Sequence, residues 1–361
     1  EITTRLVGSE MCIRDRKNLY RVKFHDERKD YLRLDMNENP EGLPADFVEE
    51  IKKKITPEFI ASYPEKDRLA KLLSEHNNIP AECISITCGS DEAMRLIFQC
   101  FGEQGKELLT VTPTFEMYDV YSKMFGMGHV MAEYNEDYSL SVDKALDLIT
   151  ENTGLVILLN PNSPIGSCWN DADARAIIEK AASIGAVTVV DEAYHYFYPN
   201  TFMPLINEYD NLLVLRTFSK LFSCAGLRIG YVSGNKQLIH YIENAESTFN
   251  VSNVAILFAE ELIKRQDMIE KLQEIEKTGR EYLTSKLSEL GYKVISKEGN
   301  YVLFMPNKPS TDIVSAAKEH GILIRDYSKG ILKGWVRVST GSIECMQRFV
   351  EVLIKIDTQI K

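Results

Sequence analysis

The sequence has little that would place the protein in a membrane, on nucleic acid or around a metal ion. Its longest apolar runs, such as Leu155 to Leu159, are strand-sized and too short to span a bilayer. Acidic residues outnumber basic ones by 53 to 42, and this net charge of −11 argues against nucleic acid or an anionic membrane as a main partner. The six histidines show no HExxH or other ligand spacing, so we expect no metal site.

Other familiar signatures are also missing. The seven cysteines form no CxxC pair and mostly lie in apolar segments, which predicts buried free thiols in a reducing compartment, the cytoplasm. Gly126 and Gly128 lack the third glycine and the preceding strand of a dinucleotide fingerprint, so a nicotinamide oxidoreductase is not expected. Residues 1–16 show no periodicity and no apolar h-region, so we interpret them as a disordered or non-native tail rather than a signal peptide.

Strand-like and helical patterns alternate along the first two thirds of the chain. The predicted strands are Ile84–Thr87, Glu107–Thr112, His129–Tyr134, Leu155–Asn160, Ala186–Asp191 and Leu212–Phe218. Helical patterns separate most of them, and this alternation predicts an α/β fold with a mainly parallel sheet flanked by helices. In such sheets ligands bind at the carboxyl ends of the strands.

The remaining third of the chain predicts a second, smaller α/β domain. A polar amphipathic helical tract runs from Ser252 to about Leu290 and is long enough to bridge two domains. Shorter strands and helices follow it. We therefore divide the chain into the tail at 1–16, an N-terminal segment at 17–50 that joins the small domain, a large cofactor-binding domain at 51–265 and a small C-terminal domain at 266–361.

The most informative stretch is RTFSKLFSCAGLRIGY, residues 216–231. Lys220 follows a strand and lies between Phe218 and Phe222, where an ammonium is poorly solvated. Desolvation favours the neutral amine, which can form a Schiff base with a carbonyl. Arg228 offers a planar fork of donors suited to a phosphate. Pyridoxal 5′-phosphate is a carbonyl-bearing phosphate ester that satisfies both demands, although a lone lysine after a strand is more often a surface residue.

A second stretch supplies an electron sink for such a cofactor. Asp191 ends a predicted strand, where its carboxylate could pair with a protonated pyridine nitrogen and let the ring accept electrons. Tyr194 could donate a hydrogen bond to the ring's phenolic oxygen. Taken singly, Asp191 is as easily an acidic helix N-cap.

Three further segments carry weaker signals. Gly89 to Glu92 opens a helix whose backbone N–H groups could bind a phosphate, or whose Ser90 is an ordinary N-cap. The turn from Asn160 to Gly166 could present side-chain amides at the edge of the sheet, or could be a plain loop. Tyr118 could stack on a flat ring or be half-buried core.

Two arginines of the C-terminal part could bind a substrate anion. Arg337 breaks the alternation of a strand-like segment, where its guanidinium could hold a carboxylate through two hydrogen bonds. Arg325 could bind an anion in the same way. Either side chain could equally face outward from a strand.

Taken together, these segments resemble a class II, fold-type I pyridoxal-phosphate aminotransferase, and histidinol-phosphate aminotransferases most closely. The resemblance covers residues 17–361. In chain order its segments are LDMNENPEGLP, SYPE, CGSDEAMRLIF, TPTFEMY, NPNSPIG, VVDEAYHYF, LRTFSKLFSCAGLRIGY, GILIRD and VRVSTG. The lysine block and the DEAY block are specific, and the others support them.

The resemblance implies a role for each matching residue. Lys220 would form the Schiff base, Asp191 would pair with the pyridine nitrogen, and Tyr194 would bind the phenolic oxygen. The residues implied around the cofactor phosphate are Ser90, Asp91, Thr217, Ser219, Arg228 and, from the neighbouring subunit of a homodimer, Tyr63. The other implied contacts are Tyr118 and Asn162 to the cofactor and Arg337, Arg325 and Tyr20 to the substrate.

Two positions depart from the family pattern. Ser163 replaces the asparagine that usually contacts the phenolic oxygen, so either Asn162 takes over this contact or a weaker hydroxyl contact remains. Asp35 stands where asparagine is usual.

The expected function is transamination of an amino-acid-like donor, histidinol phosphate with the 2-oxoglutarate/glutamate pair, in histidine biosynthesis. An aromatic or other amino acid could be the donor instead. A pyridoxal-phosphate decarboxylase or lyase of the same fold is a second alternative. A regulatory protein with an aminotransferase-like domain is a third, and it would need a basic DNA-binding segment that the sequence does not show.

Overall fold

The computed structural model describes Leu19 and residues 27–359, which contain thirteen strands and twelve α-helices. The strands are β1 (Leu32–Arg33), β2 (Ile84–Thr87), β3 (Glu107–Thr112), β4 (Gly128–Glu133), β5 (Thr153–Leu159), β6 (Val187–Asp191), β7 (Leu212–Thr217), β8 (Gly230–Gly234), β9 (Lys293–Ile295), β10 (Tyr301–Met305), β11 (Ile322–Leu323), β12 (Arg325–Asp326) and β13 (Val336–Ser339). The helices are α1 (Ala45–Lys52), α2 (Pro57–Ala61), α3 (Asp67–Asn77), α4 (Gly89–Phe101), α5 (Met117–Phe125), α6 (Val142–Asp147), α7 (Asp171–Ser183), α8 (Lys236–Ala245), α9 (Asn253–Ile263), α10 (Gln266–Glu289), α11 (Ser310–Glu319) and α12 (Ile343–Gln359).

The large sheet has seven strands in the order β2-β8-β7-β6-β5-β3-β4. β8 runs antiparallel to both of its neighbours, and the pairings among β7, β6, β5, β3 and β4 are all parallel. Two antiparallel pairings in succession restore the direction, so β2 points the same way as β7. The carboxyl ends of β2, β5, β6 and β7 therefore meet at one edge, together with the start of β8. The predicted mainly parallel α/β fold is confirmed.

A second, antiparallel sheet joins the N-terminal segment to the C-terminal part. Its order is β12-β13-β10-β9, and beside it β1 pairs in parallel with β11. Leu34 continues from β1, donating a backbone hydrogen bond to Leu323 and accepting one from Ser339. This part of the N-terminal segment therefore packs with the C-terminal block.

Two hydrophobic cores lie in the described part of the chain. The first contains the seven-stranded sheet and the helices around it, while the second contains Leu32, Leu34 and the C-terminal strands and helices. Helix α10 belongs to both, because Ile269 lies in the first core and Leu283 in the second. A bridging helix was predicted here, and the domain boundary at residues 265/266 stays a prediction.

The structure also differs from the predicted elements. Strand β8 was missed because its sequence, GYVSG, is rich in a residue that strands disfavour. Gly230 is nevertheless required there, since an added Cβ would lie 2.8 Å from the Arg216 carbonyl oxygen and 3.1 Å from the Ser90 nitrogen. The long helical tract after Ser252 is two helices, α9 and α10, separated at Lys264 and Arg265. Helices α1, α2 and α8 were not predicted.

Candidate active site

A cavity of about 330 Å³ opens at the edge where the parallel strands end. Its wall includes Phe115, Ser163, Tyr194, Lys220, Arg325 and Arg337. The first four follow strands of the large sheet, and the two arginines come from the second sheet. The cavity therefore lies between the two cores, and its volume is in the range of small-molecule sites.

Lys220 lies three residues beyond the end of β7, with its amine in this cavity. Nζ donates a hydrogen bond to the Met36 carbonyl oxygen at 3.0 Å and lies 5.6 Å from the centre of the Tyr194 ring. Among the described residues, both of these partners are uncharged groups rather than carboxylates. This is an environment in which a lysine can react with a carbonyl.

Asp191 ends β6 in a fully buried position. Oδ2 accepts a hydrogen bond from the Tyr118 hydroxyl at 2.8 Å, and Oδ1 accepts one from the Ala193 N–H at 3.0 Å. Burial raises the pKa of Asp191 to about 6, against the opposing effect of these hydrogen bonds. A buried carboxylate with a raised pKa favours a cationic partner, and a protonated pyridine nitrogen would be one.

Tyr194 is hydrogen-bonded to the loop between β1 and α1. The Asn37 side-chain amide donates a hydrogen bond to the Tyr194 hydroxyl oxygen at 2.7 Å. Burial alone would raise the pKa of Tyr194, but the Lys220 and Arg337 cations and the Asn37 bond bring it below its usual value. The phenol is therefore oriented and made more acidic at the place where a phenolic oxygen of a cofactor would need a donor.

The start of α4 packs against Arg228. Gly89 has a φ of +76°, and an added Cβ would lie 2.6 Å from Arg228 Nη2, so both backbone conformation and space require glycine. Arg228 itself has a φ of +54°, an uncommon conformation for a residue with a side chain. Backbone N–H groups at a helix start and a guanidinium thus converge on one place, which suits a phosphate.

Two hydroxyl groups also lie near Arg228 and the start of α4, and these residues together form the cup for a phosphate. The Thr217 hydroxyl donates to Ser219 Oγ at 2.9 Å, and the Ser219 N–H donates to Thr217 Oγ1 at 3.1 Å. Arg228 Nη1 lies 3.4 Å from Ser219 Oγ, while Nη2 pairs with the exposed Asp91 carboxylate at 3.2 Å. The structure brings Ser219, Thr217 and Arg228 together, as predicted. The Asp91 side chain would repel a phosphate, so only its backbone suits that role.

Asn162 and Ser163 have different surroundings. Asn162 is fully buried, accepting from Thr114 at 2.6 Å and donating to Pro113 O at 2.9 Å and to the Tyr134 hydroxyl at 2.7 Å. Its side chain is thus occupied within the fold. Ser163 lines the cavity instead. Of the two residues left open by the sequence, Ser163 is therefore the one in the cavity wall, and its contact with the cofactor stays a prediction.

Tyr118 is buried beside Asp191. Its side chain has no exposed surface, and its hydroxyl is bound to Asp191. Phe115 packs edge-on against Tyr118, with ring centres 5.5 Å apart, and is 41% exposed in the cavity wall. Phe115 is therefore an aromatic ring exposed in the cavity wall, while the Tyr118 hydroxyl holds Asp191, and the stacking role of Tyr118 stays a prediction.

Arg337 is buried on β13 with part of its guanidinium unused. Nη2 donates to the Asp35 carbonyl oxygen at 2.6 Å, and Nη1 lies 3.4 Å from Ser163 Oγ. Nε is buried without a hydrogen-bond partner among the described residues. A buried donor without a partner costs free energy, so this arginine is set up to receive an anion.

Arg325 is the direct cross-strand neighbour of Arg337 in the β12-β13 pairing. Its guanidinium is 31% exposed and lies 2.6 Å from the Glu116 carboxylate. It also lines the cavity that contains Lys220. Both predicted substrate-binding arginines thus lie at the site, one buried and one already paired with a carboxylate.

Of the two remaining predicted residues, Tyr63 does not line this cavity. Tyr63 is 75% exposed and stacks on Phe249 with ring centres 4.2 Å apart, on an outer surface. Tyr20 lies outside the described residues.

A buried ion pair stiffens the sheet behind the site. Arg216 precedes Thr217 on β7 and Glu192 follows Asp191 after β6, and their side chains meet at 2.9 Å. Arg216 also donates to Asn77 and to Thr201, each at 2.7 Å. Because breaking a buried pair costs several kcal/mol, about 3–5 in measured cases, the network fixes the strand ends that carry the catalytic side chains.

Sequence reasoning missed three residues of the site. Asn37, Phe115 and the Met36 carbonyl were not proposed as site residues. Asn37 could have been suspected, because it lies in LDMNENPEGLP, one of the segments that carry the family resemblance. Phe115 and Met36 have no signal of their own in a single sequence.

The family model described as aminotransferase class I and II matches residues 29–353. The chain belongs to this family. The histidinol-phosphate aminotransferase of Caldanaerobacter subterraneus subsp. tengcongensis is 33% identical over 330 residues, which cover 90% of this chain and 92% of that protein. The protein of the same name from Thermoanaerobacter pseudethanolicus is 34% identical over 317 residues, covering 86% and 89%.

Solved structures agree at the level of the fold. The histidinol-phosphate aminotransferase of Sinorhizobium meliloti in complex with pyridoxal-5'-phosphate superposes with a TM-score of 0.84 at 22% identity, covering 94% of this chain and 96% of that one. The predicted fold and family are confirmed, and so is the prediction of an aminotransferase enzyme. In residues 27–359, no helix combines the length and the apolar character needed to span a membrane.

Proposed function

We propose that this aminotransferase uses pyridoxal 5′-phosphate to exchange an amino group between histidinol phosphate and the 2-oxoglutarate/glutamate pair, a reaction of histidine biosynthesis. The observation that carries the proposal is the position of the Lys220 amine. It lies in a cavity of about 330 Å³ that Tyr194 and Arg337 also line, and Asp191 is buried at the end of the neighbouring strand.

The residues present fit the cofactor. Asp191 has the raised pKa and the burial that a pyridinium partner would relieve. Tyr194 and the Ser163 hydroxyl would hold the phenolic oxygen, and Phe115 would cover one face of the ring. The phosphate would occupy the cup formed by Arg228, Ser219, Thr217 and the backbone of Ser90.

Pyridoxal phosphate, when bound, supplies an aldehyde that exchanges amines and a protonated ring that withdraws electrons from the substrate carbon. Lys220 would hold this aldehyde and, once displaced by the amino donor, would carry the substrate α-proton as general base and then acid. Asp191 would keep its carboxylate against the ring nitrogen. The Asn37 hydrogen bond would keep Tyr194 aimed at the phenolic oxygen.

The choice of donor rests on the relatives and on the two arginines. The relatives at 33% and 34% identity carry the name histidinol-phosphate aminotransferase. Arg337 suits the α-carboxylate of glutamate because it is buried with Nε unsatisfied. Arg325, its cross-strand neighbour, extends the same positive surface toward the phosphate of the donor.

A homodimer with Tyr63 reaching the neighbouring site is part of the proposal. Tyr63, Phe249 and Ile60 form an exposed apolar patch, with 75%, 51% and 68% of these side chains accessible. Patches of this kind often mark protein interfaces.

The cytoplasm is the compartment that suits the thiols. The six cysteines in the described residues are free: Cys83, Cys88, Cys100, Cys168, Cys224 and Cys345. Burial raises the pKa of Cys224 to about 12, so this thiol is unreactive.

Half-reactions with a panel of donors test the activity. The enzyme would be loaded with pyridoxal phosphate and offered histidinol phosphate, glutamate and aromatic amino acids, while absorbance follows conversion of the cofactor to its amine form. We expect histidinol phosphate and glutamate to give the highest kcat/KM. If an aromatic donor reacts and histidinol phosphate does not, the substrate assignment is wrong. If CO₂ is released without a keto product, the reaction class is wrong.

Mixed dimers test the shared site. Lys220→Ala and Tyr63→Ala subunits would be unfolded together, refolded and assayed. Each mixed dimer contains one site with an intact lysine and an intact tyrosine, so a random mixture should recover about a quarter of the wild-type activity. Recovery no greater than the sum of the two parents would contradict the role of Tyr63.

A further inference from the structure

An ion pair joins the two sides of the active-site cavity. Arg325 Nη2 on β12 lies 2.6 Å from Glu116 Oε1, which belongs to the residue just before α5. Glu116 is 52% exposed and Arg325 is 31% exposed, so both side chains can move without disturbing either core. The pair therefore connects the second sheet to the large sheet by a contact that can open.

The pair also lies in a wall that two cavities share. The cavity that contains Lys220 has a volume of about 330 Å³, and a larger one of about 780 Å³ adjoins it. Thr114, Phe115, Glu116, Arg325 and Tyr327 line both. Whatever binds Arg325 is therefore at the boundary of the reactive cavity.

The two arginines of this surface differ in what already binds them. Arg337 meets a backbone carbonyl and a serine hydroxyl, and its Nε has no partner in the described part of the chain. Arg325 already has a carboxylate partner. An anionic substrate can bind Arg337 directly, but to bind Arg325 it must displace Glu116 and then tolerate a negative charge beside it.

We propose that Glu116 is a specificity-determining residue that competes with the phosphate of the substrate for Arg325. The proposal rests on the proposed function, in which Arg325 extends toward that phosphate. Glu116 lowers the affinity for donors with a distal phosphate relative to matched donors without one. Specificity is a difference between the affinities for two substrates. The enzyme therefore distinguishes donors with and without a phosphate through the Glu116 carboxylate as well as through its arginines.

Glu116→Gln is the direct test, with histidinol phosphate and histidinol as donors that differ only in the phosphate. Where turnover of histidinol is slow, its inhibition constant against glutamate replaces KM. Because the pair is partly exposed, removing the competing charge should lower KM for histidinol phosphate by about twofold to fivefold. KM or the inhibition constant for histidinol should change by less than about twofold, and so should kcat.

Glu133→Gln is the matched control. Glu133 lines the larger cavity and not the one that contains Lys220, and the substitution makes the same change of charge. It should leave the ratio of the two affinities unchanged. If both variants changed this ratio equally, the cause would be the net charge of the protein rather than the contact with Arg325. That outcome would overturn the specific role of Glu116. Melting temperatures of the two variants would verify that both remain folded.

The Arg325→Gln background separates competition from direct repulsion. If Glu116 acts through Arg325, the gain from Glu116→Gln should disappear there, and a gain that persists overturns the proposal. Failure of the inference is distinct from failure of the proposed function. Wild-type enzyme that does not convert histidinol phosphate contradicts the function, whereas normal conversion with an unchanged affinity ratio in Glu116→Gln contradicts the inference alone.

Discussion

On one side of the active-site cavity, Asp191, Thr217 and Lys220 follow neighbouring strands of one sheet, β6 and β7. On the other side, Arg325 and Arg337 come from an antiparallel sheet with its own hydrophobic core. The first side is fixed by backbone pairing and by the buried Arg216–Glu192 ion pair. The second meets it through hydrogen bonds, the Glu116–Arg325 ion pair and side chains such as Tyr301 and Trp335 that pack into the first core. The side that would hold the cofactor is therefore fixed within one sheet, whereas the side that would select the substrate depends on how the two sheets pack together.

The largest effect should come from the side of the cavity that would hold the cofactor. Lys220→Ala removes both the amine that would hold the cofactor and the group that would move the α-proton, so kcat should fall about a thousandfold or more. Absorbance of the lysine-bound cofactor should disappear as well. Lys329→Ala, in the wall of the adjoining cavity, is the control and should keep full activity. A Lys220→Ala enzyme with near-normal turnover would remove the basis of the proposed mechanism.

Asp191→Asn should reduce activity by about a hundredfold to a thousandfold, because the charge opposite the ring nitrogen is lost. In cofactor-free protein the same change should stabilise the fold. The folded-state pKa is raised from 3.8 to about 6, so the folded protein binds the proton more tightly than the unfolded chain does. Stability conferred by the protonated carboxyl is therefore lost as pH rises from about 4 to about 6.

Melting temperatures of cofactor-free wild type and Asp191→Asn, measured from pH 4 to pH 7, would check this. The melting temperature of Asp191→Asn relative to that of wild type should increase as pH rises. Asp119→Asn should show no such trend over this range: burial opposes ionisation of Asp119, but hydrogen bonds with Lys123 and His129 lower its pKa overall, so it titrates below about pH 4. Parallel curves for wild type and Asp191→Asn would mean that Asp191 carries no burial penalty.

On the substrate side, the buried arginine should matter more than the exposed one. Arg337→Gln should raise KM for glutamate by about thirtyfold or more, the usual range for one partner of a buried charged contact. Arg325→Gln should raise it by less than about fivefold, since Arg325 is partly exposed and already paired. Initial rates with glutamate as donor would measure both. Equal losses would mean that the two arginines hold the substrate jointly.

The smallest effects should come from Asn162 and Ser163, two adjacent residues of one loop, and should differ in kind. Asn162→Ala should lower the free energy of unfolding by about 1–3 kcal/mol, because the Thr114 hydroxyl and the Pro113 carbonyl lose their buried partner. Ser163→Ala should leave stability nearly unchanged and shift the absorbance of the bound cofactor. Denaturant unfolding and cofactor spectra would be recorded for both variants. The reverse outcome would assign the cofactor contact to Asn162.

The cofactor side could be predicted largely from sequence because its parts follow strands in a recognisable order. Lys220, Arg228 and the hydroxyl residues lie within the single stretch 216–231, and Asp191 directly ends a buried strand. Once the sheet is parallel, the ends of its strands must meet, so local patterns were enough to bring these residues together.

Sequence patterns are least informative where neighbouring residues differ only in what they pack against. Phe115 and Tyr118 are three residues apart at the start of a helix, and only packing against Asp191 shows that Tyr118 is the buried one. Asn162 and Ser163 are adjacent, and the backbone bridge between Asn162 and Ser167 turns the asparagine into the fold. A single sequence contains no information about either choice.

By itself, the sequence determined the α/β fold and the family and indicated Lys220 as the reactive lysine, because these depend on strand and helix patterns and on motifs of a few residues. Only the tertiary structure decided how the second core closes the site. The hydrogen bond from Lys220 to Met36 joins residues 184 apart, and the one from Arg337 to Asp35 joins residues 302 apart. Such contacts depend on how two cores pack against each other, and so does the ion pair between Glu116 and Arg325.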